Sequence, residues 1–291
     1  MAAVTVPGYH PVPPPPAAQQ PRRRWWPVAL VVAWALVLAG FAAWSVRNDP
    51  PTVPEQRDIA EALPVVERAT GAVLAAADAA DRVVTLGELS FDQDCALTPV
   101  RDGVEATREV TVRIRAGALP ATLEAIARAL PAGYAAAVRK NSAGTRYGLR
   151  ADAGEFVGVD ATTDADATVF TLLVSTGCRP LADGVDLTPA PGPATGVPAE
   201  LTAAVQALKS TTADATSTEV ACPAGGRTAR TVTVDSLPAP ADLGRAVRSL
   251  TAGATVVQAD PQAWAYRYGD VSVVINGSEG SARVAATTGC R

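Results

Sequence analysis

The sequence predicts an α+β protein in which one N-terminal transmembrane helix precedes two duplicated two-layer domains. Each domain is expected to pack an antiparallel sheet on helices and to contain one disulfide. Three observations predict this fold class: an uncharged apolar segment near the N-terminus, short matches that recur in the same order, and hydrophobic spacing that changes between helical and strand periods. The composition, 48% hydrophobic and 19% charged, is that of a folded chain.

The apolar segment at 25–46 contains no charged residue. As a helix it is about 33 Å long, which is enough to cross the hydrocarbon core of a bilayer. Tryptophans stand at both of its ends, and residues 22–24 are arginines, which predicts a cytoplasmic N-terminus. A cleaved signal peptide is the alternative, with small residues at 40–43, but its apolar core is usually only about 7–15 residues long.

The segments on either side of this span differ in composition. Residues 1–24 form a Pro-rich tail, which we expect to be cytoplasmic and extended. Residues 47–57 contain three prolines and predict a spacer between the membrane and the exported part. The chain is therefore expected to be a single-pass protein of the cell membrane, with its C-terminal domains outside the cytoplasm.

Four short matches recur in the same order beyond the spacer, and a cysteine opens each series. This order predicts an internal duplication. Residues 180–198 contain five prolines and three glycines, which is a linker composition. We therefore expect one repeat domain at 58–179 and a second at 199–291. The matches are Val110–Val112 with Val232–Val234, Leu119–Ala121 with Leu237–Ala239, Arg146–Gly148 with Arg267–Gly269, and Thr176–Arg179 with Thr288–Arg291.

Hydrophobic spacing predicts the same order of elements in each half: a helix, two strands, a second helix, and three or four strands. Pro198 stands where a first helical residue is tolerated in the second half, and Pro64 precedes the apolar stripe of the first half. The apolar positions of the predicted helices are Val66, Val73 and Leu74, then Leu123, Ile126 and Leu130 in the first half, and Leu201, Val205 and Leu208, then Leu243, Val247 and Leu250 in the second.

The four cysteines allow three pairings, and the duplication selects one of them. Cys95 is expected to pair with Cys178, and Cys222 with Cys290, so that each bond joins the first and last strands of a repeat. Neither CxxC spacing nor a nearby histidine supports a catalytic thiol or a metal site.

Charge and histidine content exclude several functional classes. The sole histidine is His10, in the predicted tail, so the exported part has no imidazole for a catalytic relay or a transition-metal site. The first 46 residues contain three of the 25 basic residues and none of the 29 acidic ones. The exported part is therefore mildly acidic, which argues against nucleic acid or anionic lipid as its main partner.

Two features are candidate binding sites. Trp264, Tyr266 and Tyr268 alternate at period two, so in a strand their rings share one face, either as a binding face or as filling of the second core. Arg146 and Arg267 recur beside the shared tyrosines, either as stems packed on the sheet or as anion contacts.

A third cluster, Asp160, Asp164 and Asp166, favours a solvated turn over a calcium site because its spacing fits no EF-hand loop. We expect no metal and no cofactor.

The sequence thus predicts a membrane-anchored extracytoplasmic binding or envelope-assembly module without catalytic activity, whose partner is an envelope protein or a cell-wall polymer. One alternative is a carrier of lipid or lipoprotein-type apolar ligands, with a pocket between helix and sheet. Another is a carbohydrate-active enzyme that uses carboxylates.

Overall fold

The computed structural model describes residues 25–48, 57–98, 101–278 and 280–290. The predicted Pro-rich tail at 1–24 and most of the predicted spacer at 47–57 lie outside these residues. The described residues fall into two compact units, one formed by residues 25–48 and the other by the described residues from 57 onward.

The first unit contains helix α1 (Trp26–Asn48), which matches the predicted apolar helix. Its stretch Trp26–Ser45 has a mean hydropathy of 2.2 and is 0% buried. This length and composition suit a membrane span, and a signal sequence near an N-terminus has the same properties.

The second unit begins with a half that contains two α-helices, α2 and α3, and a sheet. A single 3₁₀ turn, Ala132–Tyr134, follows α3. The elements of this half are α2 (Ile59–Ala77), β1 (Val83–Asp92), β2 (Ala96–Thr98), β3 (Arg101–Asp102), β4 (Val104–Arg113), α3 (Leu119–Ala129), β5 (Ala137–Lys140), β6 (Arg146–Asp152), β7 (Gly158–Asp164) and β8 (Val169–Arg179).

The other half of the second unit also contains two α-helices, and the second of these continues as a 3₁₀ turn, Arg248–Thr251. Its elements are β9 (Gly192–Pro193), α4 (Ala199–Ala207), β10 (Thr216–Ala221), β11 (Thr228–Pro238), α5 (Leu243–Val247), β12 (Thr255–Ala259), β13 (Ala263–Tyr268), β14 (Val271–Ser278) and β15 (Ser281–Thr288).

The two main sheets are antiparallel and have the same strand order. The first sheet runs β1-β4-β8-β7-β6-β5. The second runs β10-β11-β15-β14-β13-β12, with the short β9 added beyond β10. The mixed α+β fold with antiparallel sheets is therefore confirmed.

The helices cover one face of each sheet because both elements are amphipathic. In α2, the Asp58 side chain caps the N-terminus by accepting a hydrogen bond from the Glu61 backbone N–H at 3.1 Å. The predicted stripe of α2 is fully buried, and so are the inward residues of β4, which alternate along the strand. The stripe of α4 is buried in a second core, against β11, β14 and β15.

Both disulfides are present, with the pairing expected from the sequence. Cys95 bonds to Cys178 and Cys222 bonds to Cys290, with Cα–Cα distances of 5.8 and 5.6 Å. Each bond joins the segment that follows the first long strand of a half, β1 or β10, to the C-terminal end of its last strand, β8 or β15. Because each closes a long loop, it restricts the unfolded chain and stabilises the fold by roughly 4 kcal/mol on a loop-entropy estimate.

The segment 180–198, expected as a linker, packs against both halves. The Pro180 carbonyl accepts a hydrogen bond from the Ile59 backbone N–H at 2.9 Å. Leu187 packs against the apolar cluster of Ile59, and Gly192 pairs with Ser217 of β10. All described residues from Arg57 onward thus belong to one compact unit, in which the two sheets are in contact.

A glycine in α2 permits the closest helix contact between the halves. A Cβ at Gly71 would collide with the backbone carbonyl oxygen of Ala221 in β10. Only a residue without a side chain allows α2 to lie this close to the second sheet.

We therefore expect Gly71→Ala to lower the free energy of unfolding by about 1–3 kcal/mol, because the helix must move away from β10. Urea denaturation of the full chain in detergent micelles, followed by far-UV circular dichroism, measures this change.

The matched control is Gly133→Ala, where an added Cβ meets no atom within 4 Å. This variant should stay within about 0.5 kcal/mol of the unsubstituted protein. Equal stabilities for the two variants would contradict the close packing of α2 on β10.

Candidate functional site

The two sheets meet where the edge strand β1 lies on the face of the second sheet that is turned away from α4. The Val84 backbone N–H donates to the Ser272 hydroxyl at 3.2 Å, and the Leu86 N–H donates to the Thr231 hydroxyl at 3.0 Å. The Thr218 hydroxyl donates to the Leu86 carbonyl at 3.4 Å. Hydroxyls of one sheet thus satisfy the free backbone edge of the other.

A buried arginine joins three elements at this junction. Arg108 in β4 is 4% exposed, and its Nη1 lies 2.6 Å from the Glu67 carboxylate of α2. Its Nη2 donates to the Glu219 carbonyl of β10 at 2.8 Å, and its Nε donates to the Gly87 carbonyl at 3.2 Å. One guanidinium therefore fixes α2, β1 and β10 relative to each other.

A second buried arginine, Arg267 in β13, bonds to the end of α2. Its Nη1 lies 2.6 Å from Oδ1 of Asp78, and the side chains are 3% and 0% exposed. The same nitrogen lies 3.2 Å from the Ser272 hydroxyl, and Nε donates to the Gly269 carbonyl at 3.1 Å. A Cβ at Gly289 would collide with the Asp78 carboxylate, so a glycine is needed beside this pair.

The two recurring arginines thus occupy different environments. Arg267 is bound to a carboxylate of its own chain, whereas Arg146 has a side chain that is 65% exposed and lies 3.3 Å from Asp164. Asp160 forms a similar exposed pair with Arg150 at 2.8 Å. Asp160 and Asp164 belong to β7, where they occupy solvent-facing positions on one face of the strand, so for these two the expected turn was wrong. Asp166 is exposed in the turn that directly follows β7, as expected.

The three aromatic residues of β13 do not form a continuous exposed face. Tyr266 is 2% exposed and belongs to the second core, against which the partly buried Trp264 also packs. Tyr268, at the end of the strand, is 50% exposed. Burial, with a smaller contribution from Glu200, raises the pKa of Tyr266 to about 12.

Two cavities lie between the sheets on either side of Leu86 and Gly87. Their volumes are about 210 and 260 Å³. We call the first the Arg113 cavity and the second the Glu88 cavity. The Arg113 cavity is lined by Thr85, Leu86, Gly87, Thr111, Arg113, Val274, Asn276, Arg283 and Ala285. The Glu88 cavity is lined by Leu86, Gly87, Glu88, Thr216, Thr218, Thr233 and Arg283.

Strand register places the polar residues of the Arg113 cavity. Thr85 pairs with Thr111 across β1 and β4, and Arg113 follows two residues later on the same face. In the second sheet, Asn276 pairs with Arg283 across β14 and β15. Both sets lie on the faces turned away from the helices, so the cavity is bounded by two polar strand pairs.

The Arg113 cavity contains buried polar atoms without a hydrogen-bond partner in the described structure, namely Thr85 Oγ1 and Arg113 Nε. Burial also lowers the pKa of the Arg113 guanidinium. A buried donor without a partner costs about 1–3 kcal/mol, so polar groups left in this state inside a cavity indicate a place for a ligand group.

Sequence reasoning did not identify this cleft. Arg113 ends the Val-Thr-Val strand, and the matching residue of the second half is Asp235. The opposite charges at these equivalent positions were the sequence feature that could have indicated the cleft. In the structure, Asp235 forms an ion pair with Arg283 at 3.2 Å, whereas no carboxylate among the described residues pairs with Arg113.

No protein-family model and no curated protein matches this chain. Among solved structures, the chain is similar to the crystal structure of a DUF4853 family protein from Actinomyces odontolyticus, with 14% sequence identity and a TM-score of 0.34. The match covers 62% of this chain and 96% of that chain. At this TM-score the likeness supports no statement about function.

Replacing Arg267 by Ala should lower the free energy of unfolding by about 3–5 kcal/mol, because it leaves the Asp78 carboxylate buried without a cation. The equivalent Arg146→Ala variant removes an exposed pair and should change stability by less than about 1 kcal/mol. Urea denaturation of both variants measures the difference. Similar losses in the two would contradict the structural role assigned to the Arg267–Asp78 pair.

The raised pKa of Tyr266 predicts a loss of stability at high pH. The phenol ionises near pH 10 in the unfolded chain and near pH 12 in the folded one, so its contribution is complete below pH 10. Between pH 10 and 12 it falls by on the order of 2 kcal/mol. Tyr266→Phe should remove this part of the decline, as measured by denaturation at pH 9 and pH 11.5. An unchanged decline would show that Tyr266 is not the responsible group.

Proposed function

We propose that this protein is a membrane-anchored binding module, without catalytic activity, whose second unit lies outside the cytoplasm. In this proposal, the cleft between the two sheets binds an envelope protein or a cell-wall polymer. The observation that carries it is the pair of unpartnered buried polar atoms, Thr85 Oγ1 and Arg113 Nε, in the Arg113 cavity.

The anchor and its orientation are part of the proposal. Helix α1 has the length and apolar character of a span, and three arginines directly precede it in sequence. Two disulfides in the second unit are typical of proteins folded in oxidising compartments outside the cytoplasm. These features support a cytoplasmic N-terminus and an exported second unit.

We also propose that the two halves of the second unit are copies of one ancestral unit. Their main sheets have the same strand order, and each disulfide joins equivalent ends of the first and last strands. In this view the cleft arises from the pairing of the copies, because one strand pair from each half bounds the Arg113 cavity.

The cleft favours binding over the two alternatives. A carrier of apolar ligands needs a pocket between helix and sheet, whereas both cavities lie between the sheets and are lined with threonines and arginine. A glycoside hydrolase needs two carboxyl groups flanking the bond, and Glu88 is the one carboxylate among the described residues that line these cavities. Both alternatives stay predictions without supporting geometry.

Photo-crosslinking in intact cells tests the proposal. A benzoylphenylalanine replaces the exposed Glu88 at the cleft in one variant, and in the control it replaces Arg150, whose side chain is 81% exposed on β6. We expect ultraviolet light to produce a discrete adduct with an envelope protein or polymer from position 88 and not from position 150.

Protease treatment of intact spheroplasts provides the control for topology, since the proposal requires the second unit to be digested. The proposal fails if position 88 yields no adduct beyond those seen at position 150. It also fails if the second unit is protected from protease.

A further inference from the structure

The Arg113 cavity has a local charge opposite to that of the chain as a whole. The chain has a net charge of −4, yet the described residues that line this cavity include two arginines and no carboxylate. Arg283 is neutralised in part by Asp235, at 3.2 Å. Glu109 lies on the same face of β4 but is exposed and does not line the cavity. Arg113 therefore leaves a local positive charge in a polar recess.

The other lining groups are hydrogen-bond donors arranged around the same space. The hydroxyls of Thr85 and Thr111 and the amide of Asn276 belong to strand pairs on both sides of the cavity. Hydroxyls, an amide and a guanidinium supply the donors that carboxylate and phosphate oxygens accept. Because Arg113 Nε and Thr85 Oγ1 are unpartnered, two of these groups are available without breaking an existing bond.

The volume limits what the cavity holds. At about 210 Å³ it is smaller than the roughly 300–1,000 Å³ of sites for drug-sized ligands, but it accommodates one oxyanion group with its first waters. The Glu88 cavity, across Leu86 and Gly87, is lined by a carboxylate as well as by Arg283. An anionic group is therefore more favoured on the Arg113 side of the cleft, which has two arginines and no carboxylate among its described lining residues, than on the other side.

We propose that the Arg113 cavity binds one oxyanion group, a phosphate or a carboxylate, with Arg113 as its principal cationic contact and Thr85, Thr111 and Asn276 as neutral donors. This inference rests on the proposed binding function and names the chemistry of the ligand. A guanidinium that is partly withdrawn from water and has no carboxylate partner among the described residues is costly, so a bound oxyanion would offset part of that cost.

Isothermal titration calorimetry of the full chain in phosphatidylcholine nanodiscs, with inorganic phosphate and separately with acetate, tests the inference. We expect saturable binding of at least one of the two anions. Arg113→Gln should weaken that binding by at least tenfold, because it removes both the charge and the guanidinium fork.

The matched control is Arg150→Gln, which removes an exposed arginine of the first sheet that lies outside the cavity, and it should leave the affinity unchanged. Thr85→Val is the milder second variant and should weaken binding severalfold while keeping every charge. If thermal denaturation shows that Arg113→Gln is unfolded, Thr85→Val still tests the inference.

Nanodiscs of phosphatidylglycerol, titrated at 0.15 M salt to screen the surface charge, distinguish a lipid headgroup from a soluble anion. If added phosphate binds the unsubstituted protein more weakly in phosphatidylglycerol than in phosphatidylcholine nanodiscs, and Arg113→Gln shows no difference between the two, the cavity binds the lipid headgroup. Equal binding in both nanodiscs assigns it to a soluble anion.

The inference is overturned if neither anion binds at millimolar concentration, or if a folded variant, Arg113→Gln or Thr85→Val, binds as tightly as the unsubstituted protein. A position-88 adduct in cells together with either result would leave the binding function standing and remove only the oxyanion. Anion binding without an adduct at position 88 would support the oxyanion site and remove the proposed envelope partner.

Discussion

The contact on which the second unit depends is the edge of β1 lying on the hydroxyl face of the second sheet. An edge strand has backbone groups without sheet partners, and burying each of them unpaired would cost about 1–3 kcal/mol. Here Ser272 and Thr231 accept from the backbone N–H groups of Val84 and Leu86. These bonds hold an edge of one sheet at a fixed distance from a face of the other, so the two halves form one compact unit.

The other close contacts between the halves follow from that spacing. Helix α2 packs against β10 so closely that no side chain fits at Gly71. The C-cap residue of α2, Asp78, lies beside Gly289. Two buried arginines then bridge the halves. Arg267 of the second half pairs with the Asp78 carboxylate at the C-cap of α2, and Arg108 of the first half donates to the Glu219 carbonyl of β10. A buried ion pair contributes little net stability, but it tolerates few alternative arrangements, so the Arg267–Asp78 pair helps to fix how the sheets are oriented.

The cleft arises from the same geometry. Short side chains line both sides of the Arg113 cavity, such as Thr85, Gly87 and Ala285, and they leave space beside the place where β1 crosses the second sheet. A register shift between Leu86 and Leu89 interrupts the pairing of β1 with β4 at this point. The residues that join the halves and those that line the cleft are therefore neighbours along one strand, and structure and binding depend on the same contact.

The sequence by itself determined the features that depend on local patterns: the apolar helix, the antiparallel α+β character, the buried helical stripes and, through the repeated order of motifs, the disulfides. It did not distinguish Arg267 from Arg146, although both stand in an Arg-Tyr-Gly motif, because Asp78 lies 189 residues from Arg267 in sequence. It also did not reveal the Arg113 cavity, whose two walls come from different sheets. Only the tertiary structure defined these two sites, because the burial of a charged side chain and its ion-pair partner depend on residues that are distant in sequence and become neighbours on folding.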